Sequence, residues 1–363
     1  IRWRADELCD GVRVRRVALY PSHDRSIARR MLNYTSLAVS ALAWGTSALR
    51  GVDAVWVNGS PVTIGLPMWG VRYRFGVPVV LHVLDLWPDT VLSSGFVGRR
   101  GYHGVETALH AWCRRMYRCS DRVAYISPGV GPRLADRGVP AAKLAYAPMW
   151  ADELVVRPAA ASMRAQLGLG EDDVALLYAG TLGHTQGLEA LIEACARIDD
   201  PRFVCLLAGS GVAERSLRDL AQRLGLTNVR FLGRLPKERI SDVMATGDLH
   251  YIGLRPDSSS GVTMPSKVQA TLAAGRAMLV AVDGDAADVA RDSGAGFPVV
   301  PGDPQAIAAG IRVACRLGRS GLAQLGHAGR AYYLRTFSED VGIDRIERLL
   351  LDVAARKEVT CAA

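Results

Sequence analysis

No CxxC pair occurs among the seven cysteines of this 363-residue sequence (Cys9, Cys113, Cys119, Cys195, Cys205, Cys315 and Cys361), so the spacing offers neither a zinc site nor a disulfide framework. A reducing, cytoplasmic setting is the expectation. No secretory leader is expected either, because the sequence opens Ile1-Arg2-Trp3-Arg4-Ala5-Asp6 with no apolar run behind a basic start. Cys361 stands third from the end rather than fourth, which fails the prenylation signal. RNA-binding, helix-turn-helix and zinc-finger patterns are absent, so nucleic acid is not an expected partner. Low-complexity stretches are absent too. With 49% hydrophobic and 22% charged residues the composition is that of a folded globular protein. At roughly 150 residues per domain, the length predicts two domains.

Charge is missing altogether from the 19 residues Met31 to Leu49, which Arg29, Arg30 and Arg50 flank. The length would admit a membrane span, but Asn33, Thr35, Ser36, Ser40, Gly45, Thr46 and Ser47 make it too polar for a lipid-facing helix. Two readings stay open: a helix packed within the N-terminal domain, or a membrane-surface helix with basic flanks.

Basic charge is present, and unevenly placed. Residues 1–150 hold 20 Lys and Arg against 10 Asp and Glu, while the remainder holds 24 against 26. Such asymmetry suits a polyanionic partner, either an anionic membrane or a phosphorylated substrate, although an arginine-rich solvated face would look the same.

Short apolar runs alternate with amphipathic segments, the signature of parallel α/β structure. The N-terminal strand candidates are Asp53 to Val57, Val79 to Leu84 and Val123 to Ile126. Val105, Leu109, Trp112 and Met116 recur at helical spacing between them, with Arg114, Arg115 and Arg118 off that face. A second series follows a loop around Ala151 to Ala161: Val174 to Tyr178, Phe203 to Ala208, Val229 to Leu232, Leu249 to Leu254 and Met278 to Val282. Ile343, Ile346, Leu350 and Val353 line one face of a final helix.

Glycine gathers where the second series of strands ends. Gly180-Thr181-Leu182-Gly183-His184-Thr185-Gln186-Gly187 follows the first strand and Gly209-Ser210-Gly211 the next. In an open parallel sheet a ligand sits beyond the strands' C-terminal ends, and glycine lets backbone approach a phosphate; tight strand-to-helix turns would need glycine equally. Neither loop has the G-x-G-x-x-G spacing of a dinucleotide site. The strongest local signal runs from Arg255 through Val262-Thr263-Met264-Pro265-Ser266-Lys267, where a small-residue loop enters a helix over Ser266 to Ala274 that Gly275 ends. A helix N-terminus with an added lysine makes a cradle for a diphosphate.

In order, Asp85-Leu86-Trp87-Pro88-Asp89, Ser127-Pro128-Gly129-Val130, Trp150-Ala151-Asp152-Glu153, Gly180-Thr181-Leu182-Gly183 with Gln186-Gly187, Phe231-Leu232-Gly233-Arg234, and Pro265-Ser266-Lys267 with Ala273-Ala274-Gly275 resemble the group 1, family 4 glycosyltransferases. The likeness is to the colanic-acid and aminosugar-transferase branch and covers nearly the whole chain. It implies the α/β GT-B fold, two Rossmann-like domains facing a cleft. Residues 1–150 would bind the acceptor, 151–337 the nucleotide sugar, and 338–363 would form a helix crossing back. A Rossmann-like half begins with a strand and glycine-rich loop that nothing before Val12 to Leu19 supplies, so the N-terminal domain reads as incomplete, by roughly 50 to 60 residues on the size of a βαβ unit.

The resemblance implies a retaining transfer from a nucleotide diphosphate sugar, UDP-sugar favoured, to a glycolipid, saccharide or natural-product aglycone, with no cofactor and no metal. Asp85 would orient the acceptor. Gly180, Thr181, Gly183, Gln186, Gly209, Gly211, Arg234, Arg255, Val262, Thr263, Met264, Ser266 and Lys267 would hold the donor, with Lys267 the chief cation, Arg255 second and Arg234 near the base. The sequence departs from the family at five positions. Thr181 and Gln186 stand where many members carry an Arg and a Lys, and Val262 and Ala270 stand where many carry paired glutamates. Leu84 replaces a histidine, and His82, two residues earlier, is not assigned as a base. The missing charges keep open a catalytically inactive partner protein, and the shared fold a nucleotide-sugar epimerase. A cytoplasmic enzyme, at the inner face of the membrane if its basic half meets anionic lipid, is the expected location.

Overall fold

The computed structural model describes residues 3–22, 27–87, 89, 102–158, 162–256 and 260–362. Pro88 of the Asp85 motif and Asp257 to Ser259 of the loop after Arg255 lie outside them. The chain forms two compact units, one of Ile1–Ala147 with Asp344–Ala363 and the other of Pro148–Ile343.

The first unit opens with β1 (Arg4–Cys9) and β2 (Val12–Val17), an antiparallel pair that forms a sheet of its own. Val12–Val17 therefore belongs to a hairpin and not to the parallel layer. The reason is local: Asp10 and Gly11 both have positive φ, 49° and 82°, the backbone of a two-residue turn whose twist matches antiparallel strands. Helix α1 (Ile27–Ser40) follows and continues as a π turn (Ala41–Gly45) and a 3-10 turn (Thr46–Leu49), so the uncharged stretch is three short pieces. Among the described residues no helix is long and apolar enough to cross a membrane.

The parallel sheet of this unit runs in sequential order: β3 (Val55–Asn58), β4 (Val79–Val83), β5 (Arg122–Tyr125) and β6 (Leu144–Tyr146). The connecting helices are α2 (Gly65–Phe75), α3 (Tyr102–Cys119) and α4 (Val130–Asp136). All of β4 is buried, as a strand covered on both faces must be. On α3, Trp112 is half-buried and Cys113, Met116 and Tyr117 are buried, whereas Val105, expected on the same stripe, is exposed among the described residues. A cavity of about 1110 Å³ lies between the hairpin and the β3 edge, lined by Leu37, Ala41, Val55, Trp56, Met68 and Ser60 among others.

The second unit carries β7 (Val174–Ala179), α5 (Leu188–Cys195), β8 (Phe203–Ala208), α6 (Glu214–Arg223), β9 (Val229–Gly233), α7 (Ile240–Thr246), β10 (Leu249–Gly253), α8 (Ser266–Ala273), β11 (Ala277–Ala281), α9 (Asp285–Asp292), β12 (Gly296–Pro298) and α10 (Pro304–Thr336). Its six strands are ordered β12-β11-β10-β7-β8-β9, all parallel. Counted within the unit that is the doubly wound order, reversing direction between β7 and β10. Side-chain alternation divides the core. Ala175, Leu177, Val204 and Leu206 pack on one face, Val174, Leu176, Tyr178, Phe203, Cys205 and Leu207 on the other.

The last helix, α11 (Glu339–Ala362), begins in the second unit, and its residues from Asp344 onward belong to the first. Val353 is 1% exposed in a cluster with Val80, Ala124 and Ala147, against which Leu349 and Leu350 also pack. Arg122 pairs with Asp352 at 2.6 Å, and the Arg345 guanidinium lies over the Tyr146 ring. Ile343, expected on the buried stripe, is exposed, since the covered part of the helix begins beyond it.

Candidate functional site

Strand β7 ends in Ala179, and the chain then turns through Gly180, whose φ of 148° few side-chain-bearing residues adopt. The loop after β8 packs straight onto it. A Cβ at Gly209 would lie 1.8 Å from the Gly180 carbonyl oxygen, and one at Gly211 would lie 2.3 Å from that of Leu182. These two glycines are therefore required by the close stacking of two loops at one end of the sheet. The Gly180 amide donates to the Ala208 carbonyl at 2.9 Å and the Leu182 amide to that of Ser210 at 3.0 Å.

Across the switch point, β10 leads through Leu254 and Arg255 to the 3-10 turn Ser260–Val262 and then to α8. Pro265 precedes the helix with φ −63°, and Ser266 and Lys267 form its first turn. Lys267 reaches over the glycine loop: a Cβ at Gly180 would stand 2.8 Å from its Cε and 3.1 Å from its Nζ. The ammonium sits 5.2 Å from the centre of the Tyr178 ring, a cation–π contact, and burial pulls its pKa below the ordinary lysine value. Among the described residues no carboxylate pairs with it. Tyr178 is held by its hydroxyl, which donates to the Thr181 carbonyl at 2.7 Å, and burial pushes that phenol above its usual range.

The remaining donor candidates are placed unevenly. Thr181 is exposed, and Gln186 turns its buried Oε1 toward Gly183 with no hydrogen-bond partner among the described residues. Val262 and Thr263 are half-buried and Ser266 is exposed beside Lys267. Met264 packs its side chain into the core below, so only its backbone can face a ligand. Arg255, expected as the second cation, already has a carboxylate: its Nη2 donates to Glu189 Oε1 at 3.0 Å. Arg234 is exposed after Gly233 at the end of β9, the outer strand, two places from β7. Sequence reasoning passed over Gly284, where a Cβ would lie 1.9 Å from the Gly261 carbonyl oxygen, so that the turn after β11 backs the Ser260–Val262 turn. The Asp283-Gly284-Asp285 turn sequence was the available signal, and the structure gives Gly284 a φ of 66°.

In the first unit, Asp85 is exposed beyond the C-terminal end of β4, and the Ser60 hydroxyl donates to its Oδ2 at 3.0 Å. Arg137, which sequence reasoning also passed over, steadies the rest of the motif by donating to the Trp87 carbonyl at 2.5 Å and to Asp89 Oδ2 at 2.6 Å. His82 is buried with its ring against Trp56 and its Nε2 at 2.9 Å from the Ala147 carbonyl, and burial lowers its pKa. It is a core residue. No group of three or more His, Cys, Asp or Glu able to hold a metal occurs among the described residues.

Residues 160–330 match the sequence profile of the glycosyl transferases group 1, and residues 2–150 that of the glycosyl transferase 4-like domain. The chain belongs to the group 1, family 4 glycosyltransferases. The putative colanic acid biosynthesis glycosyl transferase WcaI of Escherichia coli K12 is 26% identical to this glycosyltransferase over 357 residues, covering 93% of this chain and 86% of WcaI, which supports the colanic-acid-type branch. Two solved structures share the GT-B fold. HepE of Anabaena in complex with UDP superposes with a TM-score of 0.69 at 18% identity, over 86% of this chain and 82% of HepE. Sucrose-phosphate synthase of Thermosynechococcus elongatus gives 0.70 at 19% identity, over 94% and 84%.

Proposed function

We propose that this glycosyltransferase takes its sugar from a nucleotide diphosphate sugar, with a UDP-sugar favoured, and that the diphosphate sits between the Gly180 loop and the start of α8. The observation that carries this reading is the Lys267 ammonium, drawn out of water with no carboxylate pairing with it among the described residues. A buried cation without a counter-ion is costly, and an arriving diphosphate supplies the missing charge. The first amides of α8 point the same way and add the positive end of the helix dipole. HepE, a neighbour in fold, was solved with UDP.

Transfer breaks the bond from the anomeric carbon to the diphosphate oxygen, and the negative charge developing on that oxygen is met by Lys267 and the α8 amides, which are in place beforehand. The departing oxygen takes the acceptor hydroxyl's proton, so a protein nucleophile is not needed and the sugar keeps its anomeric configuration. Asp85, oriented by Ser60, holds the acceptor. The cavity beside Ser60 offers apolar area from Leu37, Val55, Trp56 and Met68 together with polar groups from Asp6, Arg13, Arg15 and Asn58, which suits a glycolipid, a saccharide or an aglycone acceptor. Exposed Met31, Leu32 and Val39 on α1 and the Trp3–Trp44 stack, near Arg29 and Arg30, suit contact with an anionic membrane at the cytoplasmic face.

Calorimetry with UDP, GDP and dTDP tests the donor site, and turnover of a panel of nucleotide sugars, with the product anomer read by NMR, tests the reaction. Heat with UDP, at an affinity that Lys267→Ala lowers, is the expected result. No heat with any of the three would instead favour an inactive partner protein.

A further inference from the structure

We infer that the first unit carries an additional anion site, for a phosphate monoester or diphosphate group, at the N-terminal ends of β4, β5 and β6. That is the opposite end of the sheet from Asp85, and the inference does not rest on the donor reading above. The last turn of α2 brings Arg72 and Tyr73, the last turns of α3 bring Arg115, Arg118 and Cys119, Ser120 and Asp121 precede β5, and Lys143 precedes β6. Together they line a cavity of about 500 Å³, a size that suits a small phosphorylated group.

The fold holds these cations in place. Lys143 Nζ donates to the carbonyls of Arg118 at 3.1 Å and Ser120 at 2.6 Å, closing the end of α3. Arg72 pairs with Asp121 at 3.3 Å, while the other oxygen of Asp121 accepts from the Val79 amide at 2.8 Å. The Arg115 guanidinium lies 4.8 Å above the Trp69 ring. The Tyr73 hydroxyl is 2.8 Å from Cys119 Sγ on the cavity wall.

Charge arithmetic separates a site from ordinary helix capping. Cations at helix C-termini answer the dipole, and Arg72 and Lys143 do so here. Among the described residues four cations face Asp121, the one carboxylate in the lining, and the ends of α2 and α3. Each helix end is equivalent to about half a negative charge, which leaves an excess of about two positive charges. Among the described residues no carboxylate pairs with Arg115 or Arg118. A dianionic phosphate group matches that excess, and paired guanidinium forks are suited to its oxygens. The phosphate can be carried by a lipid or by a soluble ester.

Cys119 reports on occupancy. Its alkylation by iodoacetamide, read by peptide mass spectrometry with exposed Cys9 as internal reference, is followed against inorganic phosphate and glycerol 3-phosphate, with chloride at matched ionic strength. A parallel series uses phosphatidylcholine vesicles with or without phosphatidic acid. The expected result is a severalfold slowing at Cys119 alone, lost in Arg115→Gln/Arg118→Gln. Protection by phosphatidic acid vesicles at phosphate concentrations where the soluble esters give none assigns a lipid-borne group; protection by the soluble esters without the vesicles assigns a soluble one. No protection by either, equal protection by chloride, or protection undiminished in the double variant overturns the inference. Circular dichroism checks the fold, and if the double variant unfolds, Arg118→Gln on its exposed side chain carries the same test.

Discussion

An ammonium held out of water without a counter-ion is an unstable arrangement that ligand binding relieves, and Lys267, over the Tyr178 ring, has no carboxylate partner among the described residues. Lys267→Ala is expected to weaken UDP binding by about 1.5 to 3 kcal/mol, the worth of a charge-assisted hydrogen bond, without lowering the thermal midpoint of the free protein; calorimetry and thermal unfolding together check both halves. Gly209→Ala is the contrasting case. With φ at 134° and a Cβ landing 1.8 Å from the Gly180 oxygen, backbone must move, and a loss of at least about 2 kcal/mol in urea unfolding is expected. Gly261→Ala meets nothing within 4 Å and serves as the neutral control. His250 supplies a pH dependence. Buried, with its Nε2 on the Met244 carbonyl and its Nδ1 on the Thr271 hydroxyl, it has its pKa pushed down to about 4. The neutral ring is the folded form, so its contribution is complete above the unfolded value near 6.5 and is lost as pH falls from there through about 4, roughly 3 kcal/mol in all. Urea unfolding across that window should fall less steeply for His250→Asn; equal slopes would exclude His250 as the source.

Among the elements, the clearest division is between strands and their partners. Strands β7 to β11 of the second unit were legible to within a residue or two, because each is a mostly apolar run bounded by glycine or a polar turn, and for all but the outer β9 burial on both faces demands that composition. The short strands β6 and β12 were not, having three residues each and no period to read. The hairpin shows the opposite failure. Its strands are mostly polar and exposed, and only Asp10-Gly11 marks it. The start of α11 depends on a residue far away in the chain. The Glu153 carboxylate accepts from the Glu339 amide and from the Tyr333 hydroxyl, each at 2.8 Å, and a Cβ at Gly342 would strike the Trp150 ring. Glu153→Ala removes both bonds and is expected to cost about 1 to 3 kcal/mol of stability, read as a lower thermal midpoint, with UDP affinity unchanged.

For the molecule as a whole, the decisive feature is that one chain end serves the unit at its other end. Removing Asp344–Ala363 uncovers Val80, Ala124 and Ala147 and leaves Arg122 without Asp352. Such a deletion is expected to destabilise the first unit and abolish transfer while the second unit still binds UDP. Limited proteolysis, activity and calorimetry on the shortened chain read these separately, and normal transfer by it would contradict the assignment. The basic excess of residues 1–150 is likewise a property of one unit, and part of it converges in the cavity of Arg115, Arg118 and Lys143.

Local pattern was enough to reveal a parallel α/β chain, the strands of its second half, the glycine loops and the Pro265-Ser266-Lys267 entry to α8, because side-chain period and turn chemistry are set by neighbours in sequence. Contacts between distant residues were beyond it. Arg255 and Glu189 pair across 66 positions, and Ser60 reaches Asp85 across 25. Loop stacking gives Gly209 a steric reason to be glycine, independent of any phosphate. The strand order that sets β7 beside β10, and so brings Lys267 over Gly180, follows from how two covered faces of a sheet exclude water, a condition on the packed whole that no short window of sequence contains.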